Sequence, residues 1–258
     1  MAKSQARKAL TETFISVGQS IFDTILPPRC LACSVIVADR GGLCADCFKK
    51  MPFITQPLCE KTGTPLAYDV GAFTDTIGGP EVDQPYMRLR AATRYEGTAK
   101  RLAIAFKFHD QPELAERLAH FMMNAGRDLV ADCDMIVPVP LHRRRLFLRR
   151  YNQAAELAKR LAALGNRPVM LDTLQRIRPT KPQVKLDQRA RRRNVEGAFI
   201  VPENGRTAIC GRKILLIDDV VTTGATINAC TETLLRENAQ SVDVLAFAKV
   251  VDDDSMPL

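Results

Sequence analysis

The stretch Lys213–Thr226, KILLIDDVVTTGAT, decides the fold of this 258-residue chain. Its four apolar residues Ile214–Ile217 are long enough for a short buried strand, and two carboxylates, Asp218 and Asp219, follow directly. Two more apolar residues lead into the sequence TTGAT, after which apolar side chains recur near helical spacing as far as Leu235. The pattern therefore predicts a strand, an acidic pair, a short loop rich in hydroxyl groups and a helix, in that order.

The loop at residues 222–226 has the properties of a phosphate site. Backbone N–H groups at a helix start have no partner within the helix, and the helix dipole adds partial positive charge there. The glycine lets the backbone approach a ligand closely, and the threonines supply hydroxyl donors. The acidic pair can accept hydrogen bonds from a sugar diol, so the unit suits a ribose 5-phosphate. An ordinary strand–turn–helix with a threonine cap is the structural alternative. The predicted phosphate-binding residues are Thr222, Thr223, Gly224, Ala225 and Thr226.

The composition favours a folded protein with anionic partners. Hydrophobic residues make up 46% of the chain, which is enough for a sizeable core. The formal net charge of +8 favours phosphate-rich partners without choosing among nucleotides, nucleic acid and membranes. No apolar run is as long as a membrane span, and the N-terminus has no apolar signal core, so we expect a cytoplasmic protein. The eight cysteines would stay reduced there, which favours metal ligands or buried thiols over disulfides.

Two Cys-x2-Cys pairs lie ten residues apart near the N-terminus. Four thiolates in this arrangement are typical of a tetrahedral zinc site, and because they leave no open position the metal should be structural. A redox pair or incidental buried thiols are the alternatives. Cys59 begins a similar pattern, but Thr62 stands where its second cysteine would be, which leaves a second metal site open. The predicted zinc ligands are Cys30, Cys33, Cys44 and Cys47.

Residues 1–26 have the pattern of an amphipathic helix that precedes the cysteine pairs. An apolar stripe runs from Phe14 to Ile25, basic residues lie near the start, and Pro27 and Pro28 end the helix. Such a helix can pack on its own domain, contact a partner or lie on a membrane surface. The pattern does not choose among these three roles.

Residues 91–251 form the larger predicted domain. Strand patterns alternate with helix patterns along it, which predicts an α/β fold: a mostly parallel sheet with helices on both faces. In such sheets ligands bind beyond the carboxyl ends of the strands, where the residue 222–226 loop lies. Strands are predicted near residues 91–95, 135–142, 169–174, 194–201, 214–217 and 242–250.

Basic residues outside the loop add candidate contacts to phosphate. Lys107 lies in a predicted loop between two helices, where it either meets a phosphate or is simply solvated. Residues 176–193 contain eight lysines and arginines and are long and polar enough for a mobile flap, with a solvated charged face as the alternative. The flap residues that we single out are Lys185, Arg189 and Arg193.

Several motifs in this order resemble the competence protein F (ComF) family, which joins a double zinc ribbon to a type I phosphoribosyltransferase domain. They are the two cysteine pairs, VPVPLH at 137–142, RRYNQA at 149–154, QVKLDQRARRRNVEGAF at 183–199 and the loop described above. The resemblance covers roughly residues 27–250. Three positions depart from the family pattern: Arg150 replaces a glycine, Tyr151 replaces a phenylalanine, and Thr62 replaces a cysteine.

The resemblance implies a 5-phosphoribosyl 1-pyrophosphate (PRPP) site. Asp218 and Asp219 would hold the ribose hydroxyls, the 222–226 loop the 5-phosphate, and Lys107 the pyrophosphate, beneath a flap at 179–195. Two functions follow as hypotheses. One is phosphoribosyl transfer to an unknown acceptor with Mg²⁺. The other is a non-catalytic role in DNA uptake, in which the fold binds nucleotide, DNA or a partner protein. The implied domains are an N-terminal helix at 1–26, a zinc ribbon at 27–68 and a phosphoribosyltransferase domain at 91–251.

Overall fold

The structure, a computed structural model, describes residues 27–66, 84–108, 112–143, 146, 151–178 and 197–251. The predicted N-terminal helix and the flap residues Lys185, Arg189 and Arg193 lie outside the described residues. The chain divides between Lys49 and Lys50 into two compact units. None of the described helices is long and apolar enough to span a membrane.

The helices and strands follow one another along the chain in the alternation that the sequence predicted. The helices are α1 (Ala45–Lys49), α2 (Gly97–Phe108), α3 (Pro112–Ala125), α4 (Arg127–Asp132), α5 (Gln153–Gly165), α6 (Glu203–Ile209) and α7 (Ala225–Arg236). The strands are β1 (Leu89–Arg94), β2 (Met135–Pro138), β3 (Gln175–Arg176), β4 (Phe199–Ile200), β5 (Lys213–Val221) and β6 (Ser241–Lys249).

The first unit is built from a tight turn followed by the short helix α1. The Cys30 N–H donates to Val35 O at 2.7 Å, and the Ser34 N–H donates to Cys30 O at 2.9 Å. Ser34 adopts a left-handed conformation with φ of 64°, which closes the turn. Cys44 directly precedes α1 and Cys47 lies within it, so the turn and the helix each carry one cysteine pair.

The second unit contains a four-stranded parallel sheet in the order β1–β6–β5–β2. Strand β5 lies between two neighbours: Lys213 pairs with Ser241 of β6, and Ile214 pairs with Met135 of β2. Parallel strands buried on both faces explain why these segments read as continuous apolar runs. The predicted parallel sheet is confirmed, and β5 is one of its two central strands.

Helices cover both faces of this sheet, as predicted. Ile214 and Leu216 of β5 belong to one buried cluster with Ile227 of α7. The residues between them point to the opposite face, because side chains alternate along a strand. On that face a Cβ atom at Gly126, between α3 and α4, would lie 2.6 Å from Leu245 Cδ1 of β6. The backbone of the α3–α4 junction therefore packs directly on the sheet.

Several predicted strands differ in extent from the structure, and β2 ends at Pro138 instead of residue 142. The 169–174 segment makes only one bridge, from Val169 to Ile136, and β3 begins after it. Strands β3 and β4 pair antiparallel as a separate two-stranded sheet. Strand β5 continues through the acidic pair to Val221, because β6 pairs with it as far as Lys249.

Asn152 joins the start of α5 to the end of β2. Its side-chain oxygen accepts the Ala154 N–H at 3.1 Å, which makes it the N-cap of α5. Its amide nitrogen donates to Val139 O at 3.0 Å. One side chain thus satisfies a helix donor and a strand acceptor.

Replacement of Asn152 separates these two contributions. Asn152→Ala should lower the free energy of unfolding by about 2 kcal/mol, since a cap and a hydrogen bond are each worth about 1 kcal/mol. Asn152→Asp keeps the capping oxygen and loses the donor, so we expect about half of that loss. Urea unfolding followed by circular dichroism measures both variants. An aspartate variant as unstable as the alanine variant would show that the cap contributes nothing.

Candidate functional site

The acidic pair lies near the C-terminal end of β5, at the carboxyl edge of the parallel sheet. Asp218 Oδ1 accepts the Asp219 N–H at 2.9 Å, and Asp219 Oδ1 accepts the Val220 N–H at 2.8 Å. Each carboxylate is therefore held by the backbone amide that follows it. The pair is positioned by the strand and by these local bonds together.

Lys107 lies beside this pair although it is far away in the sequence. It is in the last turn of α2, not in the loop that the sequence predicted, and its Nζ lies 3.2 Å from Asp219 Oδ2. The lysine and aspartate side chains are only 21% and 16% exposed, so solvent screens the ion pair less than at an open surface. The two groups are close enough for an ion pair, but they are not aligned for a hydrogen bond.

The two adjacent carboxyl groups affect the pKa of Asp218. Burial of its carboxyl group, and then the neighbouring charge of Asp219, raise the pKa of Asp218 well above its ordinary value. The Asp219 N–H and the Lys107 ammonium act in the opposite direction without cancelling the effect. Two adjacent carboxylates with one cation beside Asp219 suit a site that receives further positive charge or hydrogen-bond donors from a ligand.

The loop that follows β5 ends at the start of α7. Gly224 is the N-cap of α7 and has φ of 73° and ψ of −7°, a left-handed conformation that favours glycine. Its carbonyl oxygen accepts the Asn228 N–H at 2.8 Å, the first bond of the helix. Thr223 Oγ1 is buried and has no hydrogen-bond partner among the described residues. A buried hydroxyl next to a helix N-terminus fits an anionic ligand that is not part of the chain.

Two residues near the loop could not have been found from the sequence. The Asn228 side-chain amide donates to Gln84 Oε1, and a Cβ atom at Gly224 would lie 3.8 Å from Asn228 Oδ1. The same Asn228 oxygen is buried without a partner among the described residues. Neither residue belongs to a recognisable motif, and only the fold brings Gln84 to this helix.

Tyr151 positions the helix end that carries Lys107. Its hydroxyl group donates to Phe106 O at 2.5 Å, and its ring packs edge-on against the Phe106 ring with centroids 6.1 Å apart. Gln153 adds a long contact of 3.5 Å to Lys107 O. The tyrosine, noted above as a departure from the family pattern, thus supplies a hydrogen bond that phenylalanine cannot make.

The first unit contains a separate cluster of four cysteines. The four Sγ atoms all lie within 4.8 Å of one another, and those of Cys33 and Cys44 are 3.7 Å apart. Tetrahedral zinc with bonds of about 2.3 Å places sulfur atoms roughly 3.8 Å apart, so the cluster fits zinc. The Cys44 N–H donates to Cys30 Sγ at 3.3 Å, and the Cys47 N–H donates to Cys44 Sγ at 3.4 Å.

Backbone donors favour the thiolate form of one of these ligands. Burial disfavours ionisation of Cys30, but N–H groups of Cys44, Ala32 and Cys33 outweigh it and lower the pKa of Cys30 to about 6. A thiolate is the form that binds a metal. The predicted grouping of Cys30, Cys33, Cys44 and Cys47 is therefore present, and the donor set fits a structural zinc ion.

Two family models match the chain. The Double zinc ribbon domain matches residues 21–76, and the Phosphoribosyl transferase domain matches residues 153–255. The chain thus matches a zinc ribbon in its N-terminal part and a phosphoribosyltransferase domain in its C-terminal part. Among solved structures, orotate phosphoribosyltransferase from Aeropyrum pernix is 18% identical with a TM-score of 0.31, covering 58% of this chain and 76% of that chain.

Curated relatives extend over most of the chain. Competence protein F from Haemophilus influenzae is 28% identical and covers 86% of this chain and 96% of its own length. DNA utilization protein YhgH from Salmonella typhimurium is 28% identical, with 88% and 99% covered. Competence protein ComFC from Bacillus subtilis is 26% identical, with 81% and 83% covered. The resemblance to the competence protein F family is confirmed, and this chain is a homologue of these proteins.

Removal of the Asp218 charge should stabilise the protein at neutral and alkaline pH. Because the folded state raises the pKa of Asp218, its ionisation costs stability in the folded chain and nothing in the unfolded chain. Asp218→Asn should raise the temperature midpoint of unfolding at pH 8. The gain should shrink towards pH ~4, because there the wild-type carboxyl becomes protonated in the unfolded protein as well as in the folded protein. Thermal unfolding across this pH range provides the measurement.

A matched control separates this effect from a general change in charge. Glu232→Gln removes one exposed carboxylate from α7 and should give no comparable gain. A gain for Asp218→Asn that is independent of pH, or a loss of stability at pH 8, would contradict the assigned pKa direction.

Proposed function

We propose that this protein binds PRPP and transfers its phosphoribosyl group to an acceptor. The observation that carries the proposal is the convergence of three features in the second unit. The Asp218–Asp219 pair lies near the end of β5, the left-handed Gly224 opens α7 five residues after Asp219, and the Lys107 ammonium lies 3.2 Å from Asp219. These groups match, one for one, a sugar diol, a 5-phosphate and a pyrophosphate.

The sugar and its 5-phosphate would be held by adjacent parts of one continuous segment. The carboxylates of Asp218 and Asp219 accept hydrogen bonds from the ribose hydroxyls. The 222–226 loop receives the phosphate, where helix amides and the Thr223 hydroxyl, buried without a partner among the described residues, supply donors. Because the loop follows the acidic pair by a few residues only, the spacing between the two subsites is set by the backbone.

The pyrophosphate would replace Asp219 as the anion that pairs with the Lys107 ammonium. Lys107 already lies at the site, held on a helix end that Tyr151 bonds to, so it needs little reorganisation to meet an anion. The flap residues Lys185, Arg189 and Arg193 are proposed as further contacts to pyrophosphate and as a cover that excludes water. A bound Mg²⁺ ion would neutralise the pyrophosphate charge and assist its departure.

The reaction breaks the bond from the anomeric carbon to pyrophosphate and forms a bond from that carbon to the acceptor nucleophile. Positive charge grows on the sugar as the first bond lengthens, and the nearby carboxylates of Asp218 and Asp219 stabilise it. Exclusion of water favours an amine or nucleobase over hydrolysis. We propose that zinc has no part in these steps, because four cysteines complete its coordination.

A role in DNA handling is the second candidate function. It is favoured by the names of the relatives, Competence protein F and DNA utilization protein YhgH, and by the net charge of +8. In this role the fold would bind nucleotide, DNA or a partner protein without catalysis. Phosphate contacts of this kind give an affinity that falls steeply with salt and ignores sequence.

Calorimetric titration of PRPP with Mg²⁺ into zinc-replete protein tests the first proposal. We expect binding by the wild type and at least a tenfold loss of affinity in Asp218→Asn/Asp219→Asn, which corresponds to about 1.4 kcal/mol or more. Lys107→Met should weaken binding of PRPP much more than binding of ribose 5-phosphate, since its partner is the pyrophosphate.

Glu232→Gln is the control for the change in charge, because this carboxylate is exposed on α7. Equal affinity in the wild type and the double variant would overturn the site, as would no binding at millimolar PRPP. Salt-dependent DNA binding that the double variant retains would then favour the second function.

A further inference from the structure

The turn that begins at Cys59 resembles half of a zinc site. The Gly63 N–H donates to Cys59 O at 2.7 Å, and the Cys59 N–H donates to Thr64 O at 2.9 Å, with Gly63 at φ of 65°. Cys59 and Thr62 are each 1% exposed. We call residues 59–64 the Cys59 turn. It has the length and the glycine of a Cys-x2-Cys-Gly turn, but threonine occupies the second ligand position.

The residues present at the Cys59 turn do not fit a metal. The family model that matches residues 21–76 is a double ribbon, yet residues 60–76 contain neither cysteine nor histidine. Among the described residues, the four cysteines of the first unit are the one group that lies close enough together to bind a metal ion. One thiol beside two threonine hydroxyls is a poor donor set for zinc, which takes thiolate, imidazole and carboxylate ligands.

A buried ammonium group from the sheet binds the Cys59 turn. Lys249 ends β6 and is only 5% exposed. Its Nζ donates to Thr62 O at 2.9 Å and to Thr64 Oγ1 at 2.7 Å. The Thr62 hydroxyl donates to the same Thr64 oxygen at 2.9 Å, so the acceptors around the cation are linked to each other.

Further contacts tie the Cys59 turn to the sheet on its other side. The Leu89 N–H donates to Lys61 O at 3.1 Å, and Arg90 donates to Glu60 O at 2.9 Å and pairs with the Glu60 carboxylate. The turn is therefore joined to β1 through its backbone and to β6 through Lys249. These two strands are neighbours in the sheet.

We infer that the Lys249 ammonium replaces the second zinc ion of the double ribbon. A fixed cation on the sheet binds a carbonyl and a hydroxyl of the Cys59 turn, and the turn itself offers only one thiol as a zinc ligand. The chain then binds one zinc ion, at the cysteines of the first unit, and the Cys59 turn is held without metal. This inference is independent of PRPP binding.

Metal content of the full chain is the first test. Protein produced with excess zinc and freed of loosely bound metal should contain one zinc ion per chain by elemental analysis. Cys59→Ser should leave that content unchanged, whereas the control Cys44→Ser should lose most of it. Two zinc ions per chain, or a lower content in Cys59→Ser, would overturn the inference.

A double-mutant cycle tests the ammonium itself. Lys249→Met removes the charge at similar length, and Thr64→Val removes one of its acceptors at similar volume. If the two groups interact, the loss of urea midpoint in the double variant should be smaller than the sum of the two single losses. Additive losses would mean that the ammonium does not hold the turn. The metal measurements still decide the inference if Lys249→Met does not fold.

Discussion

The parallel pairing of β5 with β6 is the interaction on which the candidate site depends. It runs from Lys213 to Val221 and continues in the Val250 N–H, which donates to Val221 O at 2.9 Å. The acidic pair is therefore extended backbone within a sheet, and the 222–226 loop, the candidate phosphate site, begins at a strand end that this pairing fixes. The same register brings Lys249 beside Val221, so the strand that supports the loop also supplies the cation for the Cys59 turn.

The candidate site contains groups that destabilise the folded protein, which indicates that they are present for a function. A buried carboxylate beside another carboxylate is a poor choice for a stable core, and the raised pKa of Asp218 shows the cost. The buried Thr223 hydroxyl, which has no hydrogen-bond partner among the described residues, adds to it. Two such departures from local preference within six residues are typical of a functional site, because a ligand can satisfy what the chain alone does not.

Local patterns predicted the parts of this structure that depend on nearby residues. The strand–loop–helix at β5 and α7 and the cysteine cluster each follow from spacing within a short segment. The sequence predicts Lys107 in a loop, whereas α2 continues through it to Phe108, and its approach to Asp219 depends on tertiary packing. The contact of Lys249 with Thr62 is equally invisible in the sequence, because the two residues meet only in the folded sheet.

The strand order also determines when the chain can fold during its synthesis. Among the described strands, β1 has a single neighbour, β6, and Leu89 meets Val244 in their register. The sheet thus stays incomplete until nearly the whole chain has left the ribosome, as contacts between distant residues delay folding. The cysteine cluster spans only residues 30–47. The first unit can therefore bind its metal before β6 has been synthesised and can pair with β1.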